Sequence, residues 1–377
     1  MENNIPGSKK RRLRFPYKIR VEPRLVEAPG WVSVLLTIVS IILALMVGAV
    51  LIALGGGDPI KAYIHIGKAS FGSLGVFSDT LVKATPLMLV GLACSIAFRM
   101  KLWNIGAEGQ FFIGAFAASV VVLLPVLPDS SPKWLFILIM FIFGFIGGAL
   151  WGVIPGFLKV KFNVNEIIST LMMNYIAVFW NNYFIYAVWS EGGFQMSKTF
   201  PKNAWLPRLS DFAKDAPIFQ GLTTHLGLVF AVIAAVIIWF ILYRSKWGYE
   251  IRLIGDNAKA AKYSGISIGK NIILVMALSG GLAGLAGMSE ISGVVHRLQG
   301  SISPGYGFTG IIIAWLAKLN PLAVIVVSIL FGALILAGRE LQPKGIPTMI
   351  QGVIFVFLIA SDFFVRNRIL FSRNIEE

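Results

Sequence analysis

Ten apolar runs bounded by Pro, Gly or charge dominate the chain, at residues 32–54, 81–98, 109–127, 134–158, 167–189, 226–243, 272–289, 308–319, 321–337 and 347–364. A helix needs about 20 apolar residues to cross roughly 30 Å of hydrocarbon, and most of these runs approach or exceed that length. Backbone immersed in lipid must satisfy its own hydrogen bonds, so the runs are expected to be helical. The fold expected is all-α, a polytopic membrane protein with about ten transmembrane helices. The run 308–319 is short for a full crossing. It reads either as a half-helix or as a span starting nearer Gly305, with its non-helical backbone sheltered by protein. Composition agrees, because 56% hydrophobic residues and a mean hydropathy of +0.78 leave too little polar surface for a soluble globule of 377 residues.

Between two such runs lies the charged stretch 244–270, in which six Lys and Arg face two acids. Both its ends are pinned at one membrane face, and the positive-inside tendency puts it in the cytoplasm. Within it, residues 258–265 read as a short helix with Asp256 or Asn257 as N-cap and Gly265 as the stop. The first 30 residues carry Lys9, Lys10, Arg11, Arg12, Arg14, Lys18, Arg20 and Arg24. That flank resembles a signal peptide, but the apolar run behind it far exceeds an h-region of about 7 to 15 residues and has no small-residue cleavage site, so it is expected to remain as the first span. Ten crossings from a cytoplasmic start put both termini inside, and Lys and Arg then favour the inner side by about two to one. The net charge of +15 borders lipid-facing runs, where headgroups read it, and no nucleic-acid partner is expected. Residues 1–30 are thus a basic inner tail, 31–365 the membrane domain with an outer loop at 190–224, and 366–377 an inner C-terminal tail.

Two stretches resemble each other. GLACSIAFRM (91–100) followed by NIGAEGQFFIGAFAAS parallels GLAGLAGMSE (281–290) followed by SPGYGFTGIIIAWLAK. The copies start five crossings apart, and an odd offset inverts the second, giving two inverted halves of the kind used for alternating access. Gly144, Gly148, Gly152 and Gly156 form a smooth stripe on one span, and Gly280, Gly284 and Ala283/Gly287 form another, both suited to close helix packing. Pro86 and Pro155 are expected to kink their helices.

Polar residues inside these runs are the candidate site. Thr170, Asn174 and Asn181 fall within about 40° of one another on a helix. They serve either as interhelical glue or, with Tyr175, Trp180 and Tyr183, as the lining of a path for a neutral, hydrogen-bonding solute. Asn104, Glu108 and Gln110 lie between glycines at a helix start, where Glu108 and Gln110 are suited to capping, as is Glu166 before 167–189. Lys83, Glu290 and Asp362 lie near span ends, where snorkelling would reach water. His65, His225 and His296 lack metal spacing, and the lone Cys94 has no disulfide partner. SGISIGKN (264–271) imitates a phosphate loop but has Ser264 at its first Gly position and Asn271 at its Ser/Thr position. With no acid chain across the membrane and no nucleophile, base or metal cluster, neither a self-powered pump nor an enzyme is expected.

The motifs NIGAEGQ (104–110), NEIISTLMMNYIA (165–177), GDNAKAAKYSGI (255–266), LSGGLAGLAG (278–287) and SPGYGFTGIIIAWLAKLNP (303–321) resemble the permease subunits of bacterial and archaeal ABC importers for nucleosides and simple sugars. The first two forms look more like the nucleoside branch than the ribose branch. The resemblance implies a ten-helix permease paired with a second permease, two cytoplasmic ATPases that bind the ATP, and an extracytoplasmic solute-binding lipoprotein. It implies no cofactor in this chain. It also implies that Gly255, Asp256, Asn257, Ala260, Ala261 and Gly265 belong to a coupling helix seated in the ATPase. Asn104, Glu108, Gln110, Thr170, Asn174 and Asn181 are the candidates for the solute path. The competing reading from another class is a self-sufficient secondary transporter or channel, which would transport without an ATPase.

Overall fold

The computed structural model describes residues 17–23, 30–124, 126–128, 130–338 and 345–373. They fall into two compact units, one built from the described residues of 17–48 and 352–373 and the larger from those of 49–351.

Every expected apolar run is occupied by a helix. In order these are α1 (Gly30–Leu54), α3 (Leu74–Arg99), α4 (Ala107–Leu123), α5 (Lys133–Phe162), α6 (Glu166–Tyr183), α7 (Gly227–Arg244), α10 (Ile268–Glu290), α11 (Tyr306–Leu316), α12 (Pro321–Ala337) and α13 (Ile346–Arg366). Two more helices among the described residues were not expected, α2 (Pro59–Phe71) and α8 (Lys246–Asp256), while α9 realises the expected short helix as Ala258–Tyr263. Helix α2 begins where the Asp58 carboxylate accepts from the Ile60 and Lys61 amides at 3.0 and 3.1 Å, followed by Pro59 at the first helical position. It is fastened to α12 by the Ser70 hydroxyl, which donates to the Ala333 carbonyl at 2.8 Å.

Helices α3 and α10 are the core of the larger unit. The most apolar 18-residue window of α3 is 94% buried and that of α10 is 72%, against 28% for α5 and 33% for α7. Helix α3 packs on α10, α11 and α12, while α10 packs on α3, α4 and α5. The packing is thus reciprocal, each central helix gripping the pair that follows the other. Small residues make this possible. A Cβ at Gly148 would overlap the Gly280 carbonyl oxygen, one at Gly284 would overlap that of Gly144, and one at Gly114 would overlap the backbone of Gly284. The two glycine stripes read from the sequence therefore face each other. Helices α3 and α5 run through Pro86 and Pro155 without interruption.

Helix α11 has 11 residues, about 16 Å of helix, so the half-helix is the form observed. Helices α6 and α10 each end in a π-turn, at Phe184–Val188 and Ile291–Val295, a geometry often found at functional positions. The 190–224 loop packs against the segment after α10. The Ser197 amide donates to the Leu298 carbonyl, Phe200 to His296 and Leu206 to Ser292, at 2.8 to 3.0 Å.

The smaller unit adds one two-stranded ribbon to an otherwise all-α fold. Strand β1 (Tyr17–Pro23) pairs antiparallel with β2 (Asn367–Arg373), from Tyr17 opposite Arg373 to Pro23 opposite Asn367. No local pattern announces this ribbon, because its partners lie at opposite ends of the chain.

Candidate functional site

The N-termini of α4 and α11 meet inside the larger unit, where a Cβ on Gly307 would overlap the backbone of Glu108. The Glu108 carboxylate accepts from the Gly307 amide at 2.6 Å and is buried. It therefore caps α11. Its own helix α4 has Gly106 as N-cap and no side-chain cap, which corrects the expectation that Glu108 and Gln110 cap α4. Gln110 instead forms a reciprocal carboxamide pair with Asn104, with nitrogen-to-oxygen distances of 2.9 and 3.1 Å. The Asn104 Nδ2 also donates to the Ser279 hydroxyl at 2.9 Å, and that hydroxyl donates to the Ala93 carbonyl at 2.6 Å. One amide pair thus ties the 100–106 turn to both central helices.

Helix α6 closes the cluster from the other side. Asn174 accepts from the Gly109 amide at 2.8 Å and donates to the Ile105 carbonyl at 2.9 Å, finishing two backbone groups that the turn leaves open. The approach needs glycine, since a Cβ at Gly109 would lie 2.9 Å from the Asn174 Cα. Thr170 is buried beside Gly106 and its hydroxyl donates to the Glu166 carbonyl at 2.6 Å. Asn181 lies about 10 Å further along the helix. Its Nδ2 donates to the Gln299 carbonyl at 3.2 Å, and its Oδ1 is buried with no hydrogen-bond partner among the described residues. The fold thus brings Asn104, Glu108, Gln110, Thr170 and Asn174 into one buried cluster and sets Asn181 apart from it. Glu166 does not cap α6: Asn165 does, with its carboxamide accepting from Ile167 at 2.9 Å, while Glu166 pairs with Lys159 at 2.8 Å.

Beyond Asn181, an open cavity of about 550 Å³ is lined by Asn182, Tyr186, Phe194, Gln195, Gln299 and Ser301, among others. Carboxamides beside aromatic rings suit a neutral solute that both stacks and hydrogen-bonds. The sequence reading reached Asn181 and missed this lining, since Gln195 and Gln299 belong to loops whose approach is visible only in the fold.

A polar clasp holds the same end of the larger unit. Ser78 is 2.7 Å from the Thr224 hydroxyl, the Thr223 hydroxyl donates to Asp79 at 2.5 Å, and Arg208 donates to the Gly293 carbonyl at 2.8 Å. Arg208 also donates to His296 Nε2 at 2.7 Å, so the neutral ring carries its proton on Nδ1, and Trp205 stacks on that ring at 3.7 Å. His225 is packed against Gly227 and Gly293. Burial, reinforced by the charge of Arg208, pushes His225 down to about 3 and His296 down to about 4, so both are neutral near pH 7.

On the charged loop, Asn257 is the N-cap of α9, accepting from the Ala260 amide at 3.0 Å, while Asp256 ends α8. Ala261 is buried, Gly265 takes a φ of +76°, and a Cβ at Gly255 would overlap the carbonyl oxygen of Arg99, the last residue of α3. Tyr263 is 93% exposed at the end of α9. Helix α8, read from sequence as loop, forms because Ser245 caps it and Gly248, Ile251 and Ile254 bury one face.

Lys83 and Glu290 do not snorkel. They are buried and paired at 3.2 Å, with Lys83 also donating to the Tyr306 hydroxyl at 3.4 Å. The Asp362 side chain lies outside the described residues.

Residues 76–360 match the family described as the branched-chain amino acid transport system / permease component. The chain belongs to that family. The permease is 33% identical to the guanosine ABC transporter permease of Bacillus subtilis over 88% of this chain and 94% of the relative. It is 32% identical to the glucose ABC transporter permease of Haloferax volcanii over 93% of each chain. It is 30% identical to the nucleoside ABC transporter permease of Lactococcus lactis subsp. cremoris over 88% of this chain and 92% of the relative. The family is one of transport permeases rather than enzymes, and the apolar helices of this member fit a multi-pass membrane protein.

Proposed function

We propose that this permease forms half of the path of an ATP-driven importer for nucleosides, with both termini in the cytoplasm and ten crossings arranged as two inverted halves. The reciprocal packing of α3 and α10 supports the two halves, α3-α4-α5 answering α10-α11-α12. Helix α9 is the handle for a cytoplasmic ATPase. The observation that carries the powered reading is that this capped helix leaves Tyr263 almost wholly exposed while Gly255 anchors its base to the end of α3. A second permease covers the face of α6 that displays Tyr175, Phe179 and Tyr183, all exposed here and too apolar to be left to water along a solute path. An extracytoplasmic binding protein releases solute toward the cavity at Asn182, Gln195 and Gln299, whose carboxamides match the edge of a nucleobase and whose neighbour Tyr186 offers a stacking face. The buried cluster at Asn104, Glu108, Gln110, Thr170 and Asn174 frames that path from within, and Asn181 stands at its outer end.

The test is uptake by liposomes containing the permease, its partner permease and the ATPase, supplied with binding protein and labelled guanosine or glucose. ATP-dependent guanosine uptake is expected. Equal uptake without the ATPase would reject the powered reading in favour of a self-sufficient transporter. The similarity to the Haloferax volcanii permease raises a sugar as the second reading, and glucose uptake without guanosine uptake would establish it.

A further inference from the structure

Two buried charges of the larger unit, Lys83 and Glu290, do not line the cavity beyond Asn181. Lys83 of α3 and Glu290 of α10 face each other at 3.2 Å, and Tyr306, at the start of α11, sits 3.4 Å from the same ammonium. A buried ion pair is poor value as a source of stability, because desolvation cancels most of its attraction, and apolar replacements of similar size are often as stable. Charges kept at such depth therefore point to function.

Their position suggests which. Helices α3 and α10, like α7, reach from the inner loop to the outer clasp. At the inner side, the end of α3 at Arg99 touches Gly255, and α10 starts at Ile268, five residues after α9 ends at Tyr263. At the outer side, Ser78 and Asp79 of α3 hold Thr224 and Thr223, while Ser292 and Gly293 beyond α10 hold Ala204 and Arg208. The glycine stripe of α10 meets α4 and α5, while between α3 and α10 themselves the Ser279 hydroxyl donates to the Ala93 carbonyl at 2.6 Å, and the ion pair adds a charged tie ten residues away along α3. A directed ion pair fixes register.

We infer that the Lys83–Glu290 pair is a positioning element that locks α3 and α10 into one body, so that displacement of the inner loop reaches the outer clasp. The inference rests on the ATP-driven reading above. Without the pair, the ATPase still docks on α9 and still hydrolyses ATP, but the stroke is lost as slip between the two helices.

The complete importer is reconstituted with Lys83→Met, Glu290→Gln and the exchanged pair Lys83→Glu/Glu290→Lys, and guanosine uptake and ATP hydrolysis are measured on the same vesicles. Each single variant is expected to keep hydrolysis while solute moved per ATP falls about tenfold, a coupling loss of ordinary allosteric size, and the exchange is expected to restore most of it. A merely structural role would lower both rates with the amount of folded complex and leave their ratio unchanged, and that outcome overturns the inference. Should the singles fail to assemble, the neutral double variant Lys83→Met/Glu290→Met carries the test, and wild-type uptake per ATP in it refutes the tie. Failure of the importer reading is separable, because it would appear in the unmodified complex as absent or ATP-independent guanosine uptake.

Discussion

Replacing Asn174 by Leu isolates what the buried carboxamide does. The side chain answers the Gly109 amide at 2.8 Å and the Ile105 carbonyl at 2.9 Å, and Leu of similar size can answer neither. Each buried backbone group left open costs about 1 to 3 kcal/mol, so the pair comes to roughly 2 to 6 kcal/mol. Asn181→Leu is the internal control on the same helix face. It removes one longer bond, 3.2 Å to Gln299, together with an oxygen that has no partner to lose, and should shift stability by no more than about 1 kcal/mol. The two variants should therefore differ by about 1 kcal/mol or more, a factor of at least roughly five in the folded-to-unfolded ratio. Equilibrium unfolding of the purified permease in mixed detergent micelles, followed by tryptophan fluorescence, reads this difference directly. A wild-type midpoint for Asn174→Leu, or a larger loss for Asn181→Leu, would refute the bonding argument. Transport should show the opposite order once corrected for assembled protein, with Asn181→Leu the more impaired, because its bond partner Gln299 and its neighbour Asn182 line the open cavity.

Gly148→Leu drives a side chain into the backbone of Gly280 and should cost about 3 kcal/mol or more, seen as loss of monodisperse protein in size-exclusion chromatography. Asn257→Ala removes the cap of α9, worth about 1 kcal/mol, and should lower ATPase affinity without changing the thermal midpoint of the whole chain by more than a few degrees. Tyr263→Ala, at a position 93% exposed, should leave folding untouched and weaken ATPase capture in a pull-down; undiminished capture would remove Tyr263 from the contact. Because the folded-state values of about 3 for His225 and about 4 for His296 lie below the ordinary histidine range, the unfolded chain binds protons first. Their contribution to the clasp is complete above about pH 6.5 and is lost as pH falls. Hydrogen exchange across 196–226 should therefore quicken between pH 7 and pH 4 beyond the intrinsic rate change, and steady protection would contradict it.

The helices over the ten apolar runs were legible because length and polarity alone dictate a helix in lipid. Helix α2 was not, since its sequence PIKAYIHIGKASF carries two lysines and is too short to span, and only contact with α12 and α3 explains it. The close packing of α5 on α10 could be read from glycine spacing, because a stripe every four residues has one geometric meaning. The Lys83–Glu290 pair could not: its members are 207 positions apart, and each alone looks like a charge near the end of a span. The same holds for Glu108, whose place in the first turn of α4 suggested capping at home, while the fold presents it with the amide of Gly307.

The polar stripe on α6 shows why sequence alone left its role open. Thr170, Asn174 and Asn181 share one face because lipid excludes all three, and exclusion from lipid is the whole content of that pattern. What distinguishes them lies across the interface. Opposite Thr170 and Asn174 stand Gly106 and Gly109, which bring backbone close enough for short side chains to be filled on every atom. Opposite Asn181 stands only the Gln299 carbonyl, so one carboxamide atom remains open, and the next residue, Asn182, already lines the cavity. From Thr170 to Asn181 along a single helix face, bonding thus passes from closed to open. A closed group can only hold structure, since a solute would have to displace two buried bonds to reach it, whereas an open one costs nothing to engage. On the proposed function, solute recognition then belongs at the C-terminal end of α6 and rigidity at its N-terminal end.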